Sequence, residues 1–312
     1  MKTKRRVGVL MGGPSRERDI SIKSGKAVSQ ALKNKGIDVV PVELMECSAM
    51  NGYREFVKQQ ILSCNIDIAF IALHGEFGED GMIQRLLEEV NIPYTGSRID
   101  ASKLGMDKIS SKDIFKLNNI SIPRYTVIHN KDKLNAQQYF TILGCPLVVK
   151  PSSEGSSIGL SIVESENDFY IAIDIAFKYS DSVIIEEYIQ GREITVGILE
   201  DKPLPIVEII PKRKFFDFKA KYEKGLTEYK VPASIDKTQY DACQRMALEA
   251  HKALGAHFFS RVDMILSNNG IPVVLEVNTI PGLTEMSLLP KAALAAGVDF
   301  EGLILKILKS VE

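Results

Sequence analysis

Four polar residues in the last third of the chain have the types and spacing to hold a charged ligand. The runs Ser260-Arg-Val-Asp-Met-Ile-Leu266 and Ile271-Pro-Val-Val-Leu-Glu-Val-Asn278 flank Ser-Asn-Asn-Gly270. Asn269-Gly270 is a strong signal for a two-residue hairpin turn, which sets Asn268 opposite Ile271. Counting outward puts Ile265 opposite Val274, Asp263 opposite Glu276 and Arg261 opposite Asn278. The two-residue period of a strand brings Arg261, Asp263, Glu276 and Asn278 to one face. Two carboxylates and an amide oxygen suit a hard, oxygen-seeking cation, Mg2+ before others. The neighbouring arginine suits a phosphate or a developing oxyanion. The competing reading is a solvated ladder of Arg, Asp, Glu and Asn. The irregular stretch Thr279-Ile-Pro-Gly-Leu-Thr284 that follows Asn278 has no strand propensity, and it favours the ligand site.

A second candidate is KPSSEGSSIGLS, from Lys150 to Ser161, between the apolar runs Pro146–Val149 and Leu160–Val163. Small and turn-prone residues resist local folding but let backbone N–H groups approach a ligand closely. The stretch lacks GxxxxGK[ST] and leads into a strand, so it is not a Walker A loop. Its own residues leave two readings open: a glycine- and serine-rich hairpin over a phosphate, or a plain solvent-exposed hairpin.

The elements that must position these groups follow from patterning. Strands are predicted at Val7–Met11, Asp38–Val42 and Ile66–Leu73, with helices near Ile20–Lys35, Tyr53–Ser63 and Met82–Val90. This alternation argues for a parallel, doubly wound sheet, whose ligands lie beyond the carboxyl ends of the strands. Two polar turns leave those ends: Gly12-Gly-Pro-Ser-Arg-Glu17 and His74-Gly-Glu-Phe-Gly-Glu-Asp80. The first lacks GxGxxG spacing, which disfavours a dehydrogenase. From about Ser97 a helical region, strands at Tyr125–Ile128, Leu147–Lys150, Leu160–Val163 and Val183–Tyr188, and a helix near Asn167–Lys178 form a small α+β unit. Further strands are read near Ile194–Leu199, Ile206–Ile210, Ser260–Leu266 and Val273–Asn278. Two helices follow, after Leu288 and after Asp299. The segment from Lys212 to Ala233 shows neither period. It is charged and aromatic, and reads as a functional lid or a surface loop.

Composition narrows the class. The 312 residues suffice for two or three domains, and 45% hydrophobic content supports packed cores. A net charge of −1 gives no case for nucleic acid or membrane as bulk partners. The basic start, Lys2 to Arg6, precedes an apolar run too short for a signal peptide, and no run approaches membrane-spanning length. Cys47, Cys64, Cys145 and Cys243 have no metal or CxxC spacing, so reduced thiols in a cytoplasm are expected.

Three groups of segments together resemble one family. KPSSEGSSIG, RVDMIL with LEVNTIPGLTEMSLLP, and GGPSRERDIS with LHGEFGEDG are similar to the D-alanine–D-alanine ligases of the ATP-grasp fold, in the right order over nearly the whole chain. The resemblance implies an α/β protein, α+β in its C-terminal two-thirds: an N-terminal Rossmann-like parallel-sheet domain (1–96), a central ATP-grasp lobe with the phosphate loop (97–187), and a C-terminal lobe with the metal site and lid (188–312). It implies ATP-dependent joining of two D-alanines through a D-alanyl phosphate, for peptidoglycan precursors. ATP is the co-substrate, two Mg2+ ions are required with Mn2+ able to substitute, and a homodimer is expected.

The same resemblance carries roles residue by residue. Lys108 and Lys150 would contact phosphate oxygens, with Ser156 and Ser157 at the γ-phosphate end. Glu186, Glu187, Tyr188 and Ile189 look like the adenine-binding strand, and Glu193 like the ribose acceptor. Asp263, Glu276 and Asn278 match the metal ligands, in agreement with the hairpin register. Arg261 and the backbone at Gly282 match the groups that stabilise acyl-phosphate and tetrahedral states. Glu17 resembles the acid that holds the first substrate's ammonium, with His74 nearby. Ser287 and Leu288 would line the second-substrate site. Lys221 would reach phosphate, and Tyr222 would link toward Glu17 and Ser156. Plainer readings stand beside three of these: His74 as a packing histidine, Glu187 as a solvated side chain used only through its backbone, and Ser287 as a helix N-terminal residue. Competing functions are a D-alanine–D-lactate or D-alanine–D-serine ligase, or a non-catalytic nucleotide-binding protein. Intact Lys150, Arg261, Asp263, Glu276 and Asn278 argue against the last.

Overall fold

Val7 to Met11 is buried along both faces apart from its first neighbour Arg6, as a parallel strand between two helical layers requires. The computed structural model describes residues 5–46, 52–129, 134–212 and 227–311. In it, β1 (Arg6–Gly12) lies between β2 (Asp38–Leu44) and β3 (Ile68–Ile71), parallel to both. Helices α1 (Arg18–Asn34), α2 (Tyr53–Ser63) and α3 (Met82–Glu89) complete the alternation read from the sequence.

Two helices, α4 (Ile99–Met106) and α5 (Lys108–Leu117), lead to a four-stranded antiparallel sheet. Its order is β4 (Tyr125–Ile128), β7 (Val183–Glu187), β5 (Leu147–Pro151), β6 (Ser161–Val163). Helices α6 (Ala136–Leu143) and α7 (Glu166–Ala176) pack on it through a core that includes Phe169, Ala172 and Ile173. The glycine- and serine-rich stretch is the connection of the β5–β6 hairpin, with Val149 opposite Ser161.

A second antiparallel sheet follows: β11 (Thr227–Lys230), β10 (Val207–Pro211), β8 (Gly191–Leu199), β12 (Phe259–Ser267), β13 (Pro272–Asn278), with short β9 (Lys202–Pro203) on β8. Helix α8 (Lys237–Ala253) covers it, and α9 (Leu288–Ala295) and α10 (Phe300–Lys309) close the described chain. Several elements go beyond the sequence reading, the short strand β9 among them. Helices α6 and α8 were not expected, and part of the aperiodic Lys212–Ala233 stretch is strand β11, paired with β10. Helix α8 has a proper start, with the Asp236 side chain accepting from the Thr238 and Gln239 N–H groups. Its buried face is Cys243, Ala247, Ala250 and His251, too small and too polar to give an apolar period.

The β12–β13 hairpin reaches its expected polar pairing by an unexpected route. Ser267 N–H bonds Ile271 O at 3.0 Å, and Gly270 N–H bonds Ser267 O at 2.8 Å. The turn therefore holds three residues, closed by Gly270 at φ +77°. Ile265 faces Val273 rather than Val274. A bulge beyond Met264 leaves Leu275 without a partner and shifts the register back. Asp263 then faces Glu276 and Arg261 faces Asn278, as read from the sequence.

One face of the N-terminal sheet packs almost wholly within its own domain, but the other does not form a core alone. Val7, Val9, Met11 and Phe70 share one apolar cluster with Phe259, Leu289, Leu303, Ile304 and Ile307.

Candidate active site

Helix α5 begins where the two antiparallel sheets approach. The Asp107 side chain caps it by accepting from Ile109 N–H at 3.0 Å. That fixes Lys108, the first helical residue. Its Nζ lies 2.7 Å from Glu154 O in the hairpin loop and 3.1 Å from Glu276 Oε2 on β13. Burial works against the Lys108 charge, but Glu276, then Glu186 and Glu17, outweigh it and hold its pKa above the usual lysine value. One ammonium therefore joins the loop to the far sheet.

Beneath the loop is a buried ionic triad. Glu186, 2% exposed, lies 2.9 Å from Lys150 Nζ and 2.6 Å from Lys112 Nζ. Burial would raise the Glu186 pKa, but Lys150 and Lys112 overcome it and hold the carboxyl below its ordinary value. Burial pulls Lys112 down to about 8, with Glu186 opposing and Lys150 reinforcing the shift.

The loop crosses to the N-terminal domain. Glu17 stands at the N-cap of α1 yet caps nothing, and its carboxylate receives the Ser156 hydroxyl. Ser156 and Ser157 both adopt positive φ, 49° and 58°. A Cβ at Gly155 would stand 2.6 Å from Glu17 Oε2, so this approach needs glycine.

On the hairpin face, both Asp263 oxygens are engaged. Oδ1 accepts from Arg261 Nε (2.8 Å) and Thr195 Oγ1 (2.7 Å). Oδ2 accepts from Arg261 Nη2 (2.7 Å) and Asn278 Nδ2 (3.1 Å). Among the described residues no three His, Cys, Asp or Glu side chains group as a metal cage. The acidic set here is two carboxylates with one amide.

A cleft of about 700 Å³ is lined by Glu17, His74, Lys108, Ser156, Arg261 and Glu276 among others. Asn278, Gly282, Ser287 and Leu288 line it as well, whereas Lys150, Ser157, Glu186 to Ile189, Glu193 and Asp263 do not. At its inner end His74 Nε2 is 3.0 Å from Ser24 Oγ, and burial, opposed by Glu17, lowers the His74 pKa. Ser24 Oγ also accepts from Leu283 N–H at 3.3 Å, tying α1 to the loop that carries Gly282. At the other end Ser287 is the N-cap residue of α9, but its hydroxyl makes no cap bond. It accepts from Thr284 N–H (3.2 Å) and shares a hydrogen bond with the Thr284 hydroxyl (2.9 Å). Leu288, the first residue of α9, is half-buried.

The strand expected at adenine ends β7. Glu187 is held by Arg124, whose Nε is 2.6 Å from Oε2, rather than being solvated alone. Tyr188 N–H bonds Pro146 O at 3.3 Å, and Ile189 is half-buried beyond it. Glu193 lies in β8 between Ile209 and Ile265. Lys221 and Tyr222 lie outside the described residues.

Three residues at the site were not singled out in the sequence. Lys112 had a signal, since it follows Lys108 by four and so shares its helix face. Glu79 lies in the polar turn from His74 to Asp80. Burial, reinforced by Glu17, pushes its carboxyl up to about 8, and its Oε2 accepts from Gly75 N–H at 2.7 Å. Ser24 carried no signal beyond its position in an amphipathic helix.

Two antiparallel sheets closing on a lysine- and carboxylate-lined cleft, beside a parallel-sheet domain, are the architecture of an ATP-grasp enzyme. The model of the D-ala D-ala ligase C-terminus matches residues 114–309, and that of the N-terminus matches residues 45–97. The D-alanine–D-alanine ligase of Geotalea uraniireducens (strain Rf4) is 46% identical over 309 residues, covering 99% of this chain and 96% of the relative. The D-alanine–D-alanine ligase from Bacillus anthracis superposes with a TM-score of 0.85 at 36% identity, covering 98% of this chain and 97% of that one. Its complex with ATP gives a TM-score of 0.82 at the same identity and coverage. The VanG D-Ala:D-Ser ligase from Enterococcus faecalis gives 0.82 at 27% identity, covering 99% and 100%. The chain belongs to the D-alanine–D-alanine ligase family.

Proposed function

We propose that this protein joins two D-alanine molecules at the expense of ATP, supplying the dipeptide for peptidoglycan precursors. The observation that carries the reading is Lys108, whose ammonium joins the Glu154 carbonyl of the loop to Glu276 on the opposite sheet. A triphosphate between those elements would meet a preformed cation from one side and acidic metal ligands from the other. Family relatives named D-alanine–D-alanine ligase, at 46% and 45% identity, support this over the D-lactate, D-serine and non-catalytic alternatives.

The chain's residues divide the work. A carboxylate is a poor electrophile, so one D-alanine carboxylate oxygen attacks the γ-phosphorus and ADP leaves. The amine of the second D-alanine then attacks the acyl carbon, the C–O bond to phosphate breaks, and the nitrogen gives up its proton. Glu17 holds the first ammonium, with Ser156 fixing the carboxylate that does so. Lys108 and Lys150 take phosphate charge. Arg261 and the Gly282 N–H meet the acyl oxygen as it becomes negative. Ser287 and Leu288 receive the second substrate, and Glu186 to Ile189 with Glu193 take the nucleoside. Lys221 and Tyr222 would close the site.

The donor set fits a divalent cation, because Asp263 and Glu276 already hold protein cations, Arg261 and Lys108, against their carboxylates. Asp263, Glu276 and Asn278 would hold two Mg2+ ions, or Mn2+ in their place, which neutralise phosphate charge when bound. The proposal takes in the division 1–96, 97–187 and 188–312, since each range contains one of the three sheets. It also takes in a cytoplasmic location, supported by free thiols at Cys64, Cys145 and Cys243, and a homodimer, testable by sedimentation. No helix among the described residues is long and apolar enough to cross a membrane.

With D-alanine labelled by ¹⁸O in its carboxylate, ADP release will depend on D-alanine and one label will appear in the released phosphate. ADP release indifferent to D-alanine would overturn the ligase reading. Unlabelled phosphate would overturn the acyl-phosphate route.

A further inference from the structure

Lys112 is the most completely buried cation at the site, at 1% exposure, and it does not line the cleft. It shares a helix face with Lys108. Helix α5 thus delivers one ammonium into the cleft and a second behind it. Among the described residues the second has one carboxylate partner, Glu186, which it shares with Lys150. Two buried lysines on one carboxylate leave a unit of positive charge inside the protein. A carboxylate held by Lys150 alone would instead cancel it.

We propose that Lys112 is a positioning residue for the nucleotide: by holding one oxygen of Glu186 it keeps Lys150 on the other, aimed and only partly neutralised, ready for phosphate. The inference rests on the reading that ATP binds at this cleft and reaches past its lining, between the two antiparallel sheets, to Lys150. Among the described residues, few groups face Lys112. Glu186 comes from β7, Lys150 from β5, and Lys108 and Lys116 from α5 itself. Tyr125 comes from β4, its ring centroid 5.1 Å from Lys112 Nζ and its hydroxyl bonded to Asp113. Glu186 is held below its ordinary pKa and Tyr125 is raised by burial, so neither changes charge between pH 7 and 9.5. Lys108 is held above its ordinary value and stays charged as well. Lys112 does change, because burial brings it to about 8. Above that pH it loses its proton, Glu186 neutralises Lys150, and the pull on phosphate weakens.

The test is ATP binding without D-alanine, by calorimetry from pH 7 to 9.5, on the wild type, K112R and K112M. Binding by the wild type at pH 7 establishes the cleft as an ATP site independently of ligation. Wild-type Kd will rise with pH by up to about tenfold, the effect of one unit charge over roughly 10 Å at an effective dielectric of about 20. K112M will show the weakened binding already at pH 7 and no further rise. K112R, whose guanidinium keeps its charge throughout, will bind at pH 7 within a few-fold of the wild type and lose the pH dependence. A wild-type Kd flat across this range, or a K112R profile that still rises like the wild type's, would overturn the proposal. If K112M does not fold, these two profiles decide alone.

Discussion

Glu276→Gln is expected to give a folded protein that releases ADP about 100- to 1,000-fold more slowly than the wild type in the presence of D-alanine. Glutamine keeps the shape of the side chain and removes its charge. The charge has two duties in the proposed reaction. It anchors Lys108 from across the cleft, at 3.1 Å, and it is one of two carboxylates for a divalent cation. Stabilising the charge of a transferring phosphoryl group is worth several kcal/mol, which sets the size of the loss. Glu276 is only half-buried on β13, so the melting temperature should move by a few degrees at most. Steady-state ADP release at ordinary Mg2+, alongside a thermal melt, checks both halves. Wild-type turnover in a well-folded variant would remove Glu276 from the site.

The largest cost to stability should come from Glu186→Gln. It leaves Lys112 and Lys150 buried without a counter-charge, and stranding a buried ion in this way costs about 3–5 kcal/mol. The sign of the pH dependence follows from the carboxyl. Its folded pKa lies below the ordinary value, so its contribution is complete above the unfolded glutamate pKa of about 4.3 and is lost as pH falls through the folded pKa. The stability gap between wild type and variant will therefore be full at pH 7 and shrink in acid below about pH 4. Urea denaturation across that range measures it. A gap under about 1 kcal/mol at neutral pH would mean that the triad is solvated in solution.

The hairpin register was legible because the alternation of polar and apolar residues must match a sheet with one buried face. The turn was not. Asn-Gly reads as a two-residue turn where Gly270 closes three, and a bulge at Leu275 that no local signal announces restores the register. The N-terminal alternation was legible for a similar reason, since parallel strands buried on both faces form dense apolar runs. Helix α8 was missed because its buried face is largely alanine and cysteine, whose small side chains give little periodic contrast. Lys112 was missed because a lysine in a helix is ordinarily a solvated one. Only the three-dimensional position of Glu186, dozens of residues away, makes it otherwise. Local pattern thus showed the groups that lie on one hairpin or one loop. It could not show the pairings that join separate sheets.

The apolar cluster shared by β1, β3, α9 and α10 ties the order of synthesis to the order of folding. Val7, Val9 and Phe70 are translated early, but Leu303, Ile304 and Ile307, which cover them, emerge hundreds of residues later. Until then the first sheet carries an unfinished apolar face, a hazard for any growing chain. Nascent chains stalled before Phe300 should be cleaved readily in the first sheet by added protease, whereas the released protein resists. The ribosome therefore has to deliver the chain as far as α10 before this face of the first sheet can be covered.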